Sequence, residues 1–198
     1  QLPVKNGFRL RGESMTRIEV FSDAAFAFAV TMLVISLSAI PKNYVEFVEA
    51  MKGIPTFVIS FSVIMGYWLA HRKWSQQFGL EDPISTFLTL GIVVIILVFV
   101  YPLKLIISFT CYIFSGKRLP TEFSNPSPSD MTGLVLAFSA AGLLLALAFW
   151  GLYRRALNER GSLKLNPLEI LKTREQIVIW STTSGATFIS VLLAWVLN

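Results

Sequence analysis

Apolar residues in this chain are not scattered but gathered into five long runs. They extend from about Arg17 to Ile40, stopped by Pro41; from about Ile54 to Trp74, with Gly53 and Pro55 at the start; and from about Ile84 to Phe114. The last two run from about Met131 to Tyr153 and from about Glu175 to Leu197. Roughly 20 helical residues cross a hydrocarbon core about 30 Å thick, so each run is long enough to span a bilayer. Barrel strands would instead alternate over about 10 residues. The pattern therefore predicts an all-α, polytopic membrane helix bundle forming one transmembrane domain over residues 1–198. The third run exceeds the minimum, which predicts tilt or an end outside the lipid.

Between the runs lie ordinary breakers. Pro120 to Asp130 is rich in Pro, Ser and Asn and reads as a loop, with Ser129 or Asp130 as the cap of the fourth helix. Asn158 to Thr173 is polar and basic, with room for a short interfacial helix. No internal repeat is evident.

Composition sharpens the membrane reading. Of 198 residues, 54% are hydrophobic and 15% charged, where a soluble domain carries about 25% charged. No cleavable secretory signal is evident, because the first run lacks a small-residue cleavage site and is as long as a true span. The net charge is +5, but the basic residues flank apolar runs. That position fits anionic headgroups and membrane orientation, and nucleic acid is not an expected partner. One cysteine, Cys111, and one histidine, His71, exclude an intramolecular disulfide and a zinc cluster.

Twelve of the 17 Lys and Arg residues fall on one set of loops, at the N-terminus, at Arg72 and Lys73, and between Arg154 and Arg174. Four fall on the alternate set, and Lys104 lies inside the third run. The bias predicts a cytoplasmic N-terminus. Five spans then place the C-terminus outside, directly after an apolar run, so a sixth span is expected beyond Asn198.

The first run carries the chemistry. Arg17, Glu19, Ser22 and Asp23 open an otherwise apolar helix. Charge within a span is costly and faces a partner, the bundle interior or a water-filled cavity. Arg17 is long enough to snorkel to the headgroups. Asp23 is too short for that, and it sits about 9 Å along the helix from Arg17. At about 100° per residue, Phe21, Ala24, Phe28, Thr31, Met32, Ile35 and Ala39 form one stripe, and Asp23 points roughly 140° away from Phe28. The stripe reads as a pore lining or as plain helix packing. On either reading Asp23 faces a neighbouring helix. The second run offers partners at matching depth, predicting an Asp23–His71 or an Asp23–Trp68 hydrogen bond. His71, with Arg72 and Lys73 beside it, also reads as an interfacial residue.

These residues resemble the transmembrane-protein-175 family, the potassium channels of endolysosomes and prokaryotes. Its first-helix hallmark of Arg, three variable residues, then Phe-Ser-Asp is matched by Arg17, Phe21, Ser22 and Asp23, with a later Thr matched by Thr31. Its second-helix pattern is matched by Ser60-Phe61, Tyr67-Trp68 and His71, and the Pro of its third helix by Pro102. The ordered pattern covers three spans, and the last two match only in hydropathy. The resemblance implies a homotetramer of six-span subunits in a prokaryotic plasma membrane, with the first helix lining a pore for monovalent cations. It also implies apolar constrictions at Phe28, Met32 and Ile35 and a threonine layer at Thr31, where potassium passes transiently. Arg17, Phe21, Ser22, Asp23, Trp68 and His71 would then hold the first helix against the second. The chain departs from the family at Ala24, usually Gly, and at Phe28, usually a branched aliphatic.

The Thr-Val-Gly-Tyr-Gly filter of ordinary potassium channels is absent from the sequence. Weak selectivity for potassium over sodium is therefore expected, through neutral Thr31 hydroxyls. No cofactor is expected. His71 titrates near neutral pH when unperturbed and is the candidate for any pH effect. A secondary transporter is the main competing class, but it would show internal repeats and a polar mid-membrane site. A membrane enzyme would need an acid/base pair that one His and one intramembrane carboxylate do not make. A non-conducting assembly subunit is a third possibility.

Overall fold

All five apolar runs fold as long α-helices. The structure, a computed structural model, describes residues 3–5, 7–12, 14–35, 41–123 and 126–196. The chain opens with a small antiparallel hairpin, β1 (Val4–Lys5) and β2 (Phe8–Arg9), and continues into α1 (Arg17–Ile35). There follow α2 (Tyr44–Met51), α3 (Ile54–Phe78), α4 (Pro83–Phe114), α5 (Pro128–Asn158) and α6 (Pro167–Val196). All but α2 are long and apolar enough to cross a membrane. The end of the first predicted run, residues 36–40 with Ala39 of the stripe, lies outside the described residues, as does Leu197.

Several helices are longer than the apolar runs that predicted them, because caps set the ends and hydropathy does not. Helix α5 begins at Pro128, and neither Ser129 nor Asp130 is its cap. Ser127 is the N-cap, and its hydroxyl accepts from the Asp130 backbone N–H while the Asp130 carboxylate accepts from the Ser127 backbone N–H. At α6, Asn166 and Glu169 form the same reciprocal pair at 2.8–2.9 Å. The interfacial helix expected within residues 158–173 is therefore the first turns of α6 itself. Asp82 caps α4 ahead of Pro83. Burial raises the Asp82 carboxyl, but hydrogen bonds from Ser85 and Arg155 outweigh it and hold the group below its ordinary value. Gly79 ends α3 in the left-handed region, with φ +55.

Helix α1 packs on α3 and α4, α5 on α4, and α6 on α5. The core includes Phe26, Ala29 and Leu33 of α1, Ile64 of α3, Ile92, Ile96 and Phe99 of α4, and Leu145, Phe149 and Leu152 of α5. Tyr67 joins four helices, with its ring 6.0 Å from Phe99, 6.1 Å from Phe149 and 6.5 Å from Trp180. Ser139 and Ser190 hydrogen-bond across α5 and α6 at 2.7 Å, the kind of polar contact that joins helices in lipid. Only Glu169, Thr173 and Ala194 of α6 are buried.

The N-terminal hairpin docks where α3 ends and α6 begins. The fully buried Glu169 carboxylate accepts from the Arg9 backbone N–H at 2.8 Å and pairs with the guanidiniums of Arg9 at 2.8 Å and Arg11 at 3.0 Å. Arg11 also donates to Leu163 O at 3.0 Å, and the Arg11 and Gly12 backbone N–H groups donate to Gln76 O. A Cβ at Gly12 would meet Ser75 O at 2.7 Å, so only glycine lets the two backbones come this close. The residues of the basic loops, from Arg72 and Lys73 to Lys172, thus gather at the hairpin end of the bundle.

Candidate functional site

Helix α1 starts with a capping box. The Thr16 backbone N–H donates to Glu19 Oε2 at 2.7 Å, and Thr16 Oγ1 accepts from the Glu19 backbone N–H at 3.2 Å. The other Glu19 oxygen accepts from the Ser75 hydroxyl on α3. One carboxylate therefore both starts the helix and ties it to its neighbour.

One turn further on, Trp68 Nε1 donates to Asp23 Oδ1 at 2.8 Å. Of the two partners predicted for Asp23, Trp68 is the one bonded. His71 is buried instead between α1 and α4. Its Nε2 lies 3.2 Å from Thr89 Oγ1, and its ring stands 6.4 Å from Phe26. The Arg72 guanidinium covers the Trp68 ring at 5.2 Å. Ser22 is fully buried, but its hydroxyl donates to Glu19 O at 2.9 Å within α1, so it serves by being small.

Two members of the expected packing network stand outside it. Arg17 and Phe21 are exposed, and among the described residues the Arg17 side chain makes no hydrogen bond or ion pair. The reason is the helical wheel. Arg17 and Phe21 are four residues apart and share a face with Phe28, roughly opposite Phe26 and Leu33.

This same face of α1, away from the buried one, carries the stripe. Phe21, Ala24, Phe28, Thr31 and Ile35 are all exposed, Phe28 by 55% and Ile35 by 74%. Met32 departs from its expected place. It is half-buried and packs against the core, because it sits at the edge of the stripe nearest the buried face. Thr31 Oγ1 donates to Ala27 O at 3.0 Å. Its proton is thereby committed to its own helix, and its lone pairs remain as acceptors on the exposed face. That is the polarity a cation requires.

Sequence reading placed Glu19 at the helix entry but missed its capping role, legible in principle from the Thr16-x-x-Glu19 pattern, and missed two partners, Ser75 and Thr89. Thr89 was a polar residue in the most apolar run. No group of three or more His, Cys, Asp or Glu residues able to hold a metal occurs among the described residues.

Comparison with known proteins places this arrangement. The family described as endosomal/lysosomal potassium channel TMEM175 matches residues 17–102, the stretch that contains α1, α3 and α4 as far as Pro102. A protein from Marivirga tractuosa, described as a potassium channel, is 32% identical over 176 residues, which cover 86% of this chain and 71% of that protein. The crystal structure of a threonine-to-alanine variant of the potassium channel MtTMEM175, bound to a nanobody–MBP fusion protein, matches with a TM-score of 0.89 at 28% identity. It covers 98% of this chain and 86% of that one. A lysosomal potassium-selective channel TMEM175 homolog from Chamaesiphon minutus shares the fold, with a TM-score of 0.56 at 20% identity over 91% of this chain and 90% of that one.

Proposed function

Because the chain belongs to the TMEM175 family, we propose that it is the subunit of a potassium-permeable cation channel, a homotetramer whose pore is lined by α1. The observation that carries this reading is the division of α1 into two faces. One face is packed and anchored through Asp23 and Glu19, while the other leaves Phe28, Thr31 and Ile35 exposed among the described residues. Four such faces around an axis enclose a narrow apolar passage.

An apolar constriction narrower than a hydrated ion excludes water and blocks conduction. Opening requires the four helices to tilt or rotate until Phe28 and Ile35 withdraw. Met32, held at the edge of the stripe by core packing, enters the lining only if α1 turns. The Thr31 hydroxyl oxygens then replace part of the hydration shell. As neutral dipoles they favour the more weakly hydrated potassium modestly over sodium. The basic hairpin end is the cytoplasmic one, a reading supported by the clustering of Lys and Arg at that end, and the membrane is the plasma membrane of a prokaryote, a reading supported by the bacterial relative.

The test is flux through the purified protein in liposomes under a potassium/sodium gradient, with cross-linking to count subunits. Potassium flux that follows the electrical driving force, from a four-subunit assembly, is the expected result. Flux strictly coupled to a second ion or a proton would make it a transporter and overturn the channel reading.

A further inference from the structure

A cavity of about 540 Å³ opens beside the hairpin, between α3 and α6. Four cations, Lys5, Arg72, Lys73 and Lys172, face it, against one carboxylate, Glu175. Its wall also contains the apolar side chains of Phe8, Leu10 and Leu69. Among the described residues neither Lys5 nor Lys73 has a carboxylate within ion-pair distance. The cavity is bounded by the last turns of α3 and the first turns of α6, so it lies at the membrane boundary. Since a liquid water molecule takes about 30 Å³, the space accommodates a phosphate with its ester substituent.

We propose that this cavity binds an anionic phosphate, the headgroup of a phospholipid in the leaflet on the hairpin side. An excess of three positive charges selects an anion. Basic pockets between membrane helices at this depth match acidic headgroups, and the apolar wall suits the glycerol and first acyl carbons below the phosphate. A soluble phosphate shares the charge but has no use for that wall.

The cavity is also joined to α1. Arg72 faces it and lies over Trp68, whose indole N–H holds Asp23. A phosphate that engages the Arg72 guanidinium acts on the same side chain that covers Trp68. Occupancy therefore reaches the helix carrying Phe28 and Thr31 through three consecutive contacts. This coupling, unlike the binding, rests on the channel reading above.

The experiment uses the purified, assembled protein in vesicles of phosphatidylcholine alone or mixed with phosphatidylglycerol. Native mass spectrometry counts retained lipids, and potassium flux is read in parallel. Preferential retention of phosphatidylglycerol is expected, falling about threefold or more in the Lys5→Gln/Lys73→Gln variant and restored in Lys5→Arg/Lys73→Arg. Equal retention of the two lipids, or retention unchanged by the Gln variant, overturns the site. Inorganic phosphate, added to phosphatidylcholine vesicles on the hairpin side, is expected to leave flux unchanged. If it reproduces the phosphatidylglycerol effect, the lipid assignment falls. Specific retention with flux indifferent to phosphatidylglycerol overturns the coupling. Specific retention by a protein that conducts nothing strikes the channel reading and leaves the binding site in place.

Discussion

Trp68 and Asp23, 45 residues apart in the chain, are joined by one hydrogen bond of 2.8 Å from an indole N–H to a carboxylate. With the Glu19–Ser75 bond and the packing of Phe26, Ala29 and Leu33, it holds α1 in one orientation. An acidic side chain in a span is tolerated where it has a donor, and a bond to a charged group is worth about 1.5–3 kcal/mol.

Asp23→Ala and Trp68→Phe should therefore each lower the thermal stability of the assembled protein and disturb potassium flux. The double variant should lose about 1 kcal/mol or more less than the sum of the two. Strict additivity of the two losses, measured by thermal unfolding in detergent, would show that the pair does not act as a unit.

Thr31→Val removes the hydroxyl and keeps the shape. The potassium-over-sodium permeability ratio should fall about 3- to 10-fold, the equivalent of one weak hydrogen-bonding interaction. Reversal potentials in bilayers read it directly, and an unchanged ratio would remove Thr31 from the selectivity role.

Phe28→Ala takes away a ring that is 55% exposed and lies outside the buried core cluster. Resting flux should rise while stability stays within about 0.5 kcal/mol of the parent, as for a surface position. A large loss of stability with unchanged flux would favour plain helix packing for this face.

Glu169→Gln puts a neutral amide in a fully buried place opposite Arg9 and Arg11, whose side chains are 35% and 10% exposed. Water reaches the Arg9 guanidinium, so the loss should be about 1–3 kcal/mol, below that of a fully buried pair. The hairpin should also detach, which limited proteolysis near Gly12 would detect. Protection equal to that of the parent would show that backbone contacts hold the hairpin alone.

The pH dependence of Asp82 has a definite sign. Its carboxyl is held below the ordinary value by Ser85 and Arg155 despite burial. A depressed value in the fold means a stabilising contribution that is present above the unfolded value, about 3.9, and is lost as pH falls through the folded one. The parent should lose melting temperature steeply below about pH 4, and Asp82→Asn should lose less over the same range. Parallel curves for the two proteins would assign the acid sensitivity to other carboxylates.

The spans and the two faces of α1 were legible in the sequence because both are periodic signals, length in one case and 3.6-residue spacing in the other. The placement of Asp23 against α3 followed from the wheel. The choice of Trp68 over His71 did not, because two residues one turn apart on α3 are equivalent until α4 brings Thr89 to the imidazole. Met32, half-buried where an exposed position was expected, shows a related limit, since a stripe has edges and only neighbours decide which edge is covered. The hairpin and its hold on Glu169 were invisible. Arg9 and Arg11 read as orienting charges because nothing local reveals a partner about 160 residues away. Helix α2 is short and exposed, so no apolar pattern announced it.

The Glu19 and Asp23 bonds hold α1 near one end, which makes the helix a lever. At 1.5 Å per residue, Thr31 stands about 12 Å and Ile35 about 18 Å beyond Asp23. A swing of about 10° about that fulcrum carries Thr31 sideways by about 2 Å and Ile35 by about 3 Å. In the channel proposed above, the far end of the stripe would therefore move most for the least disturbance at the anchor, and Ile35 would clear the pore axis before Thr31.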